Sequence, residues 1–199
     1  MSEFVDMSGN LSAIILFWLW WALLSVLDVI SAKNRAGTAG SKDVKECTDR
    51  IDPACCERIR RIDPSFDEGY FLQGASRAYE IILEAYAAGS LDTLHTLLES
   101  EVLTAFEHAI TDRESRGETL ELTFIGIRDA RIVDAEGAKG GAAISVSFTA
   151  EIVIATRSPD GKIVHGDPER VVETRDLWTF GPDPASTNQS WLVTATDSA

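Results

Sequence analysis

The sequence has few cysteines, few basic residues and few glycines or prolines, and each shortage excludes a class of protein. Three cysteines in 199 residues cannot hold together a disulfide-stapled mini-protein. Eighteen basic against 32 acidic residues give a net charge of −14, whereas a protein that binds nucleic-acid phosphates needs a basic face. Fourteen glycines and six prolines are too few for a low-complexity chain. The length suits one compact domain with an appendage.

The longest apolar segment lies near the amino terminus and predicts a membrane anchor. Residues 11–27 contain no charge, and as a helix they would rise about 26 Å, close to the roughly 30 Å hydrocarbon core of a bilayer. Three tryptophans fall on different sides of that helix, which is therefore apolar all round: Trp18, Trp20 and Trp21. We predict a tail over residues 1–10 and an uncleaved transmembrane helix over residues 11–30. A core helix and a cleaved signal peptide are the alternatives.

The charges that flank this segment predict its orientation. No basic residue precedes it, and four follow it closely: Lys33, Arg35, Lys42 and Lys45. The positive-inside rule places that side in the cytoplasm, or in the matrix of an organelle. We therefore expect a single-pass protein of the inner (cytoplasmic) membrane with its amino terminus outside; a periplasmic domain is the inverted alternative. Residues 31–64 are predicted to form a juxtamembrane linker.

The cysteines lie in this predicted linker and do not indicate a metal site. Cys47, Cys55 and Cys56 lack the paired C-x2-C spacing of zinc sites, and no histidine is close to them. Reduced thiols are expected on a cytoplasmic face. We predict no metal and no cofactor, and the role of the three thiols is not assigned.

Beyond residue 65 the periodicity changes from helical to strand-like. Apolar steps of three and four predict a helix over residues 70–88 that ends at Gly89, and two shorter helices with Ser90 and Ser100 as their caps. Period-two alternation then predicts strands, with residues 128–134 as a further strand or a bend: 120–124, 144–154, 170–180 and 191–196. Helices followed by an antiparallel meander predict an α+β fold, with helices packed on one face of a curved sheet.

Six short motifs, in their order and spacing, resemble the TIM forty-four-like domain family: residues 62–67, 74–80, 85–91, 97–98, 176–180 and 191–196. The family is named for the matrix-side anchor of the mitochondrial import motor and includes bacterial single-pass proteins. The resemblance implies a cystatin-like (nuclear transport factor two-like) domain over residues 65–199. It also implies a role at an inner membrane in protein translocation or membrane-protein assembly. This chain lacks the family anchor's long basic chaperone-holding segment, so that recruiting activity is not carried over.

The chain contains titratable residues but no recognisable catalytic motif. The candidates are His95, His108, His165, Asp129, Glu151 and Asp176. Asp176 shares strand parity with Trp178 and Phe180, which predicts that it points to their face of the sheet. No glycine-rich phosphate loop, metal cluster or Ser-His-Asp order occurs in the sequence. We predict no catalytic residues and no enzyme, with a conical-pocket enzyme as the least favoured alternative.

The leading interpretation is a membrane-anchored, non-enzymatic adaptor or scaffold whose groove or pocket holds a peptide, a lipid tail or a partner segment. Six aromatic residues are candidates to line it, although each also suits a plain core: Phe71, Tyr79, Tyr86, Phe148, Trp178 and Trp191. The expected partners are membrane lipids and other inner-membrane proteins, not nucleic acid. The alternative is an accessory subunit of a larger membrane complex, for example a respiratory one, that packs through its Trp-rich helix.

Overall fold

The computed structural model describes residues 53–138, 141–183, 185–186 and 190–198 of the chain. The helices are α1 (Pro53–Ile62), α2 (Glu68–Ala88), α3 (Leu91–His95) and α4 (Ser100–Ser115). The strands are β1 (Thr119–Ala138), β2 (Gly141–Arg157), β3 (Ile163–Pro182) and β4 (Trp191–Ser198). All of these helices precede all of these strands, as the change of periodicity predicts.

The membrane anchor predicted over residues 11–30, with Trp18, Trp20 and Trp21, lies outside the described residues, as do the tail and Cys47. Among the residues that the structure describes, no helix combines the length and the apolar character needed to cross a bilayer. The anchor and its orientation therefore stay predictions.

The four strands form one sheet in the order β1-β2-β3-β4, with β1–β2 and β2–β3 antiparallel. Along β2, buried and partly exposed side chains alternate, because successive side chains of a strand point to opposite faces. Ile144, Val146 and Phe148 are fully buried on the face that meets the helices. We call this the inner face and the opposite one the outer face. The predicted α+β fold, with helices packed on a curved antiparallel sheet, is confirmed.

Strand β1 is one continuous strand with three irregularities, which decides between the two alternatives for residues 128–134. Its register with β2 shifts at residues 124–126, 127–129 and 132–134. A bulge places an extra residue on one strand, bends it and increases its twist. The second predicted alternative, a bend in the same strand, is therefore the correct one.

Helix α2 packs on the inner face and begins two residues before the predicted start. Its cap is Asp67, whose carboxylate accepts a hydrogen bond from the backbone N–H of Tyr70 at 2.8 Å. At the other end Gly89 adopts a left-handed conformation with φ of 70°, and its N–H donates to carbonyls of the last turn. Buried residues recur at helical spacing from Phe71 to Ala85, so one apolar face meets the sheet.

Helix α3 is shorter than expected because the chain becomes extended before α4. Leu98 forms a parallel bridge with Val193 of β4, and the Glu99 N–H donates to the Val193 carbonyl at 2.9 Å. Glu99 also caps α4, since its carboxylate accepts from the backbone N–H of Glu101 at 3.0 Å. The expectation that Ser100 caps this helix is wrong by one residue, because the extended backbone that caps α4 is that of Glu99.

Helix α1 packs on the sheet although it lies within the range predicted as a linker. Cys55 and Ile59 are fully buried and belong to the hydrophobic core. Arg58 forms an ion pair with Asp134 of β1 at 2.8 Å. Because Cys55 and Ile59 are four residues apart, they share one face of the helix. The carboxyl-terminal part of residues 31–64 is therefore part of the folded unit.

Arg113 joins the ends of α2 and α4 and, among the described residues, is the charged side chain that is buried, at 7% exposed. Its Nη2 donates to the carbonyl oxygens of Tyr86 and Ala87 at 3.1 and 3.2 Å, and the guanidinium lies 5.2 Å from the centre of the Tyr86 ring. Those carbonyls lie in the last turn of α2, where they have no partner within the helix. The positive charge also favours the negative end of the helix dipole.

Candidate functional site

Tyr79 lies where α2 crosses the inner face of the sheet. Its side chain is fully buried, and its ring centre is 4.6 Å from the ring centres of both Phe148 on β2 and Trp178 on β3. The Tyr79 and Phe148 rings are stacked at 25°, whereas Phe148 and Trp178 meet edge to face at 75°. Stacked and edge-to-face pairs are the favourable aromatic geometries. Packed aromatic rings therefore fill the inner face of the sheet around Tyr79.

Two polar side chains of β3 meet the hydroxyl of Tyr79. Thr174 and Asp176 are two residues apart on the strand, so they point to the same face. The Tyr79 hydroxyl donates to Asp176 Oδ2 at 2.5 Å and lies 3.1 Å from Thr174 Oγ1. We call these three residues the Tyr79 cluster. It links α2 to β3 across 97 residues of sequence.

Burial determines the protonation of the Tyr79 cluster. It raises the pKa of the Tyr79 phenol far above its usual value, and the charge of Asp176 raises it further. Burial also raises the pKa of the Asp176 carboxyl, against the effect of hydrogen bonds from Tyr79 and Thr174. The phenol therefore stays protonated and donates to Asp176. This arrangement suits a structural link. A general base must lie within reach of a substrate proton, whereas Asp176 Oδ2 already accepts a hydrogen bond from the buried Tyr79 hydroxyl.

An open groove of about 340 Å³ lies between the first half of α2 and β1. Its walls are formed by Gly69, Leu72, Gln73 and Ser76 of α2 and by Ile127, Arg128, Asp129 and Ala130 of β1. Consecutive residues of β1 line the groove, including the bulge, so the groove reaches the edge of the sheet. Among the described strands, β1 pairs with β2 alone and therefore lies at an edge of the sheet. The edge of such a strand, next to small and mixed polar side chains, can receive an extended segment of another protein.

The structure places the six sequence-predicted aromatic residues in or against the core. Four are buried: Phe71, Tyr79, Phe148 and Trp178. Tyr86 and Trp191 are partly buried and pack against the same core. A ligand would reach Tyr79 or Phe148 only if α2 moved away from the sheet, since both are fully buried. Their role in lining a groove or pocket therefore stays a prediction.

The titratable candidates lie on five different elements. His95 and His108 are exposed on α3 and α4, and His165 is exposed on β3. Two acidic candidates form ion pairs, Asp129 with Arg131 at 2.7 Å and Glu151 with Arg128 at 2.6 Å. Asp176 is in the Tyr79 cluster. Within the described ranges, no group of three His, Cys, Asp or Glu side chains is arranged to hold a metal ion.

Sequence reasoning missed Thr174 and, apart from Asp129, the residues that line the groove. The signal for Thr174 was available, because it precedes Asp176 by two residues and so shares its face. No comparable signal marks Gln73 or Ser76, which flank the apolar stripe of α2 as ordinary polar residues. The bulge at Arg128, which shapes the other wall, is a property of the pairing between two strands.

Comparison with known proteins gives matches that agree with each other. Residues 54–198 match the family model of the Tim44-like domain. The mitochondrial import inner membrane translocase subunit TIM44 of Homo sapiens is 27% identical over 131 residues, which are 65% of this chain and 29% of that protein. The protein of the same name in Rattus norvegicus gives the same figures. The probable subunit tin-44 of Caenorhabditis elegans is 23% identical over 127 residues, with 63% and 30% covered.

Among solved structures, the intermembrane space region of the chloroplast protein ARC6 superposes with a TM-score of 0.49 at 12% identity. The superposition covers 68% of this chain and 98% of that one. The match to the translocase subunits of human and rat covers 29% of their length, so the chain spans less than a third of those proteins.

Proposed function

Because the chain belongs to the Tim44-like domain family, we propose that it is a membrane-anchored, non-enzymatic adaptor or scaffold of an inner membrane, linked to protein translocation or membrane-protein assembly. The observation that carries this proposal is the family match, which extends from α1 to β4. The named relatives are subunits of a mitochondrial inner-membrane translocase. Since the match covers 29% of the human subunit, we propose this role for the Tim44-like domain and do not extend it to the activity of a whole translocase subunit.

The proposed anchor is the apolar segment over residues 11–30, with Trp18, Trp20 and Trp21 in contact with lipid. It would make the protein single-pass, with its amino terminus outside and residues 65–199 on the cytoplasmic or matrix side. Support comes from the absence of charge over residues 11–27 and from the cations that follow. Residues 65–199 are strongly acidic, so an anionic leaflet would repel them. We therefore assign contact with lipid to the apolar segment over residues 11–30.

We place the contact with a protein partner in the groove between α2 and β1. Residues 63–118, which contain α2, α3 and α4, include twelve acidic and three basic residues, a net charge of −9. This charge favours a basic segment of the partner and raises the rate of its encounter. The edge of β1 offers backbone groups, and Gln73, Ser76 and Asp129 offer polar contacts.

The Tyr79 cluster supports the non-enzymatic part of the proposal. Asp176 is the candidate acid with a raised pKa and a partly buried position, which is the usual profile of a catalytic group. Its oxygen nevertheless accepts a 2.5 Å hydrogen bond from a fully buried tyrosine that is packed between aromatic rings. These contacts tie the carboxylate to the fold.

Two substitutions on one turn of α2 test the groove. Gln73→Trp fills the groove, whereas Gly74→Trp points away from the protein, since a Cβ at Gly74 has no neighbour within 4 Å. Each variant of the full chain is expressed in its membrane, and co-purification with protein-translocation components of the inner membrane is measured. We expect Gln73→Trp to lose these components and Gly74→Trp to keep them. Equal retention by both variants would refute the groove as the contact.

Two further measurements test the anchor and separate the alternative. The full chain should resist carbonate extraction, and release into the supernatant would contradict a transmembrane segment. A chain of residues 36–199 should still bind the same partners if the domain makes the contact. Loss of these partners, with the fold intact by circular dichroism, would favour an accessory subunit that packs through its Trp-rich helix.

A further inference from the structure

The two edges of the sheet differ in what lies against them. At the β4 edge, the segment that joins α3 to α4 runs alongside the strand, since the Val193 N–H donates to the Leu97 carbonyl and the Glu99 N–H donates to the Val193 carbonyl, both at 2.9 Å. At the other edge, α1 is tied to β1 near the end of the strand, where Arg58 pairs with Asp134. Among the described strands, β1 pairs with β2 alone. An edge of this kind offers backbone N–H and C=O groups to an added strand.

The part of β1 that lines the groove contains a short regular stretch. The register of β1 with β2 shifts at residues 127–129 and again at residues 132–134, and pairing is continuous over residues 129–132. Asp129 and Ala130 belong both to this stretch and to the wall of the groove. Because a bulge interrupts the ladder of hydrogen bonds, an added strand would pair regularly only with this stretch. Side-chain contacts must therefore contribute to holding such a strand.

The α2 wall of the groove has room for an apolar side chain. Leu72 is 6% exposed, and small residues lie one turn to either side of it, Gly69 three positions before and Ser76 four positions after. Residues three and four apart are neighbours on the surface of a helix. Ile127 and Ala130 line the opposite wall. The groove therefore suits a segment that directs a side chain of the size of valine towards Leu72.

Carboxylates extend the same side of α2 beyond Ser76. Glu80 and Glu84 follow Ser76 at successive intervals of four residues, which places the three side chains in one row along the helix. Glu80 pairs with Arg77 at 2.7 Å, whereas Glu84 is exposed and forms no ion pair with a described residue. A cation of a bound segment would therefore be attracted to Glu84.

The direction of α2 along β1 determines the order of these contacts. Leu72 and Ala130 both line the groove, and two turns later on α2 the Tyr79 ring centre lies 6.2 Å from that of Phe124, so α2 and β1 run in opposite directions. An added strand antiparallel to β1 would run in the same direction as α2, and antiparallel pairs are the more stable kind. From Leu72 to Glu84 the helix rises about 18 Å, which an extended strand covers in about five residues.

We propose that the groove binds an extended segment of the partner as an additional strand antiparallel to β1, with an apolar residue over Leu72 and a lysine or arginine about five residues later against Glu84. This inference rests on the proposed function, because it describes how the partner occupies the groove assigned there. Backbone hydrogen bonds to β1 supply affinity, and the two side-chain contacts supply direction and specificity. The net charge of −9 over residues 63–118 favours a basic segment over an acidic one.

Two synthetic peptides test the order of the side-chain contacts. The first is an acetylated, fluorescently labelled ten-residue peptide of serine and threonine with valine at the third position and lysine at the eighth. The second has the same composition with valine and lysine exchanged. Fluorescence anisotropy with the full chain in a mild nonionic detergent should show that the first peptide binds more tightly, by about fivefold. Equal affinities, or no binding of the first peptide at millimolar concentration, would overturn the proposal.

A charge reversal tests the contact with Glu84. Glu84→Lys should weaken binding of the lysine peptide by about fivefold and should instead favour a peptide in which glutamate replaces the lysine. Glu101→Lys is the matched control, with the same change of charge at an exposed side chain of α4, and it should keep the preference for the lysine peptide. If both variants keep that preference, or both lose it, Glu84 is not the contact and the proposed orientation is wrong.

Methylation of single peptide nitrogens separates strand addition from the binding of a helix. Alternate N–H groups of a strand point to opposite sides, so a methyl group on one of two successive nitrogens blocks pairing with β1 and a methyl group on the next does not. We expect binding to be lost at one position and kept at its neighbour, and equal effects at both would contradict strand addition. Gln73→Trp should abolish binding of the lysine peptide, and unchanged binding would place the peptide outside the groove. If the peptide tests fail while Gln73→Trp still loses the translocation components, the binding mode is refuted and the groove remains the contact.

Discussion

Removal of one hydroxyl group tests how much the Tyr79 cluster contributes to stability. Tyr79→Phe keeps the ring, which stacks on Phe148 and packs at a tilt against Trp178, and removes only the donor to Asp176. A hydrogen bond to a charged group contributes about 1.5–3 kcal/mol, and a 2.5 Å O–O distance belongs to the strong, charge-assisted class. We therefore expect Tyr79→Phe to lower the free energy of unfolding by about 2 kcal/mol at neutral pH.

The cost of Tyr79→Phe should depend on pH with a defined sign. Burial raises the pKa of Asp176 in the folded state, so the folded chain holds this proton more tightly than the unfolded chain. The contribution of Asp176 to stability is therefore complete below the unfolded pKa and is lost as pH rises through the folded pKa. Asp176→Asn cannot titrate, so its stability relative to the wild type should rise with pH above about 4. The loss of unfolding free energy caused by Tyr79→Phe should be smaller in acid, because the Asp176 carboxyl that accepts the hydrogen bond is then neutral.

Urea unfolding of the full chain in a mild nonionic detergent, followed by near-ultraviolet circular dichroism, measures these differences. The double variant completes a cycle, and we expect a coupling energy of about 1–2 kcal/mol between Tyr79 and Asp176. Tyr70→Phe is the control, since Tyr70 is 80% exposed, and it should change stability by less than about 0.5 kcal/mol. Equal stability of Tyr79→Phe and Tyr70→Phe at neutral pH would refute a stabilising role for the Tyr79–Asp176 hydrogen bond.

Two further substitution series test the helices, with the same unfolding assay. Gly74→Ala should stabilise the chain by about 0.5–1 kcal/mol, because Gly74 lies within α2 and a Cβ there meets no neighbour. Gly89→Ala should destabilise the chain by about 1 kcal/mol, because Gly89 has a φ of 70°. A loss of stability in Gly74→Ala would contradict the first expectation. Arg113→Lys should cost about 1–2 kcal/mol, since a lysine ammonium that donates to these carbonyls would not reproduce the contact of the larger, planar guanidinium with the Tyr86 ring. Arg116→Lys, an exposed control three residues away, should stay within about 0.5 kcal/mol, and an equal cost for both would show that the burial of Arg113 is unimportant.

The parts of the fold that follow from local patterns could be predicted from the sequence. The apolar spacing of α2 and the alternation of β2 arise from the periods of a helix and a strand, and Gly89 ends α2 as expected. The position of Asp176 on the face of Trp178 also follows from parity along β3. Each of these features depends on residues that are close in the sequence.

Three features that sequence reasoning missed depend on residues that are far apart in the sequence. The parallel bridge between Leu98 and Val193 shortens α3, and no local pattern near Leu98 indicates it. Cys55 and Ile59 look like linker residues because their partners are on strands that come much later in the chain. The groove also depends on residues far apart in the sequence. One wall is helix α2, and the other is a bulge that exists only where β1 pairs with β2.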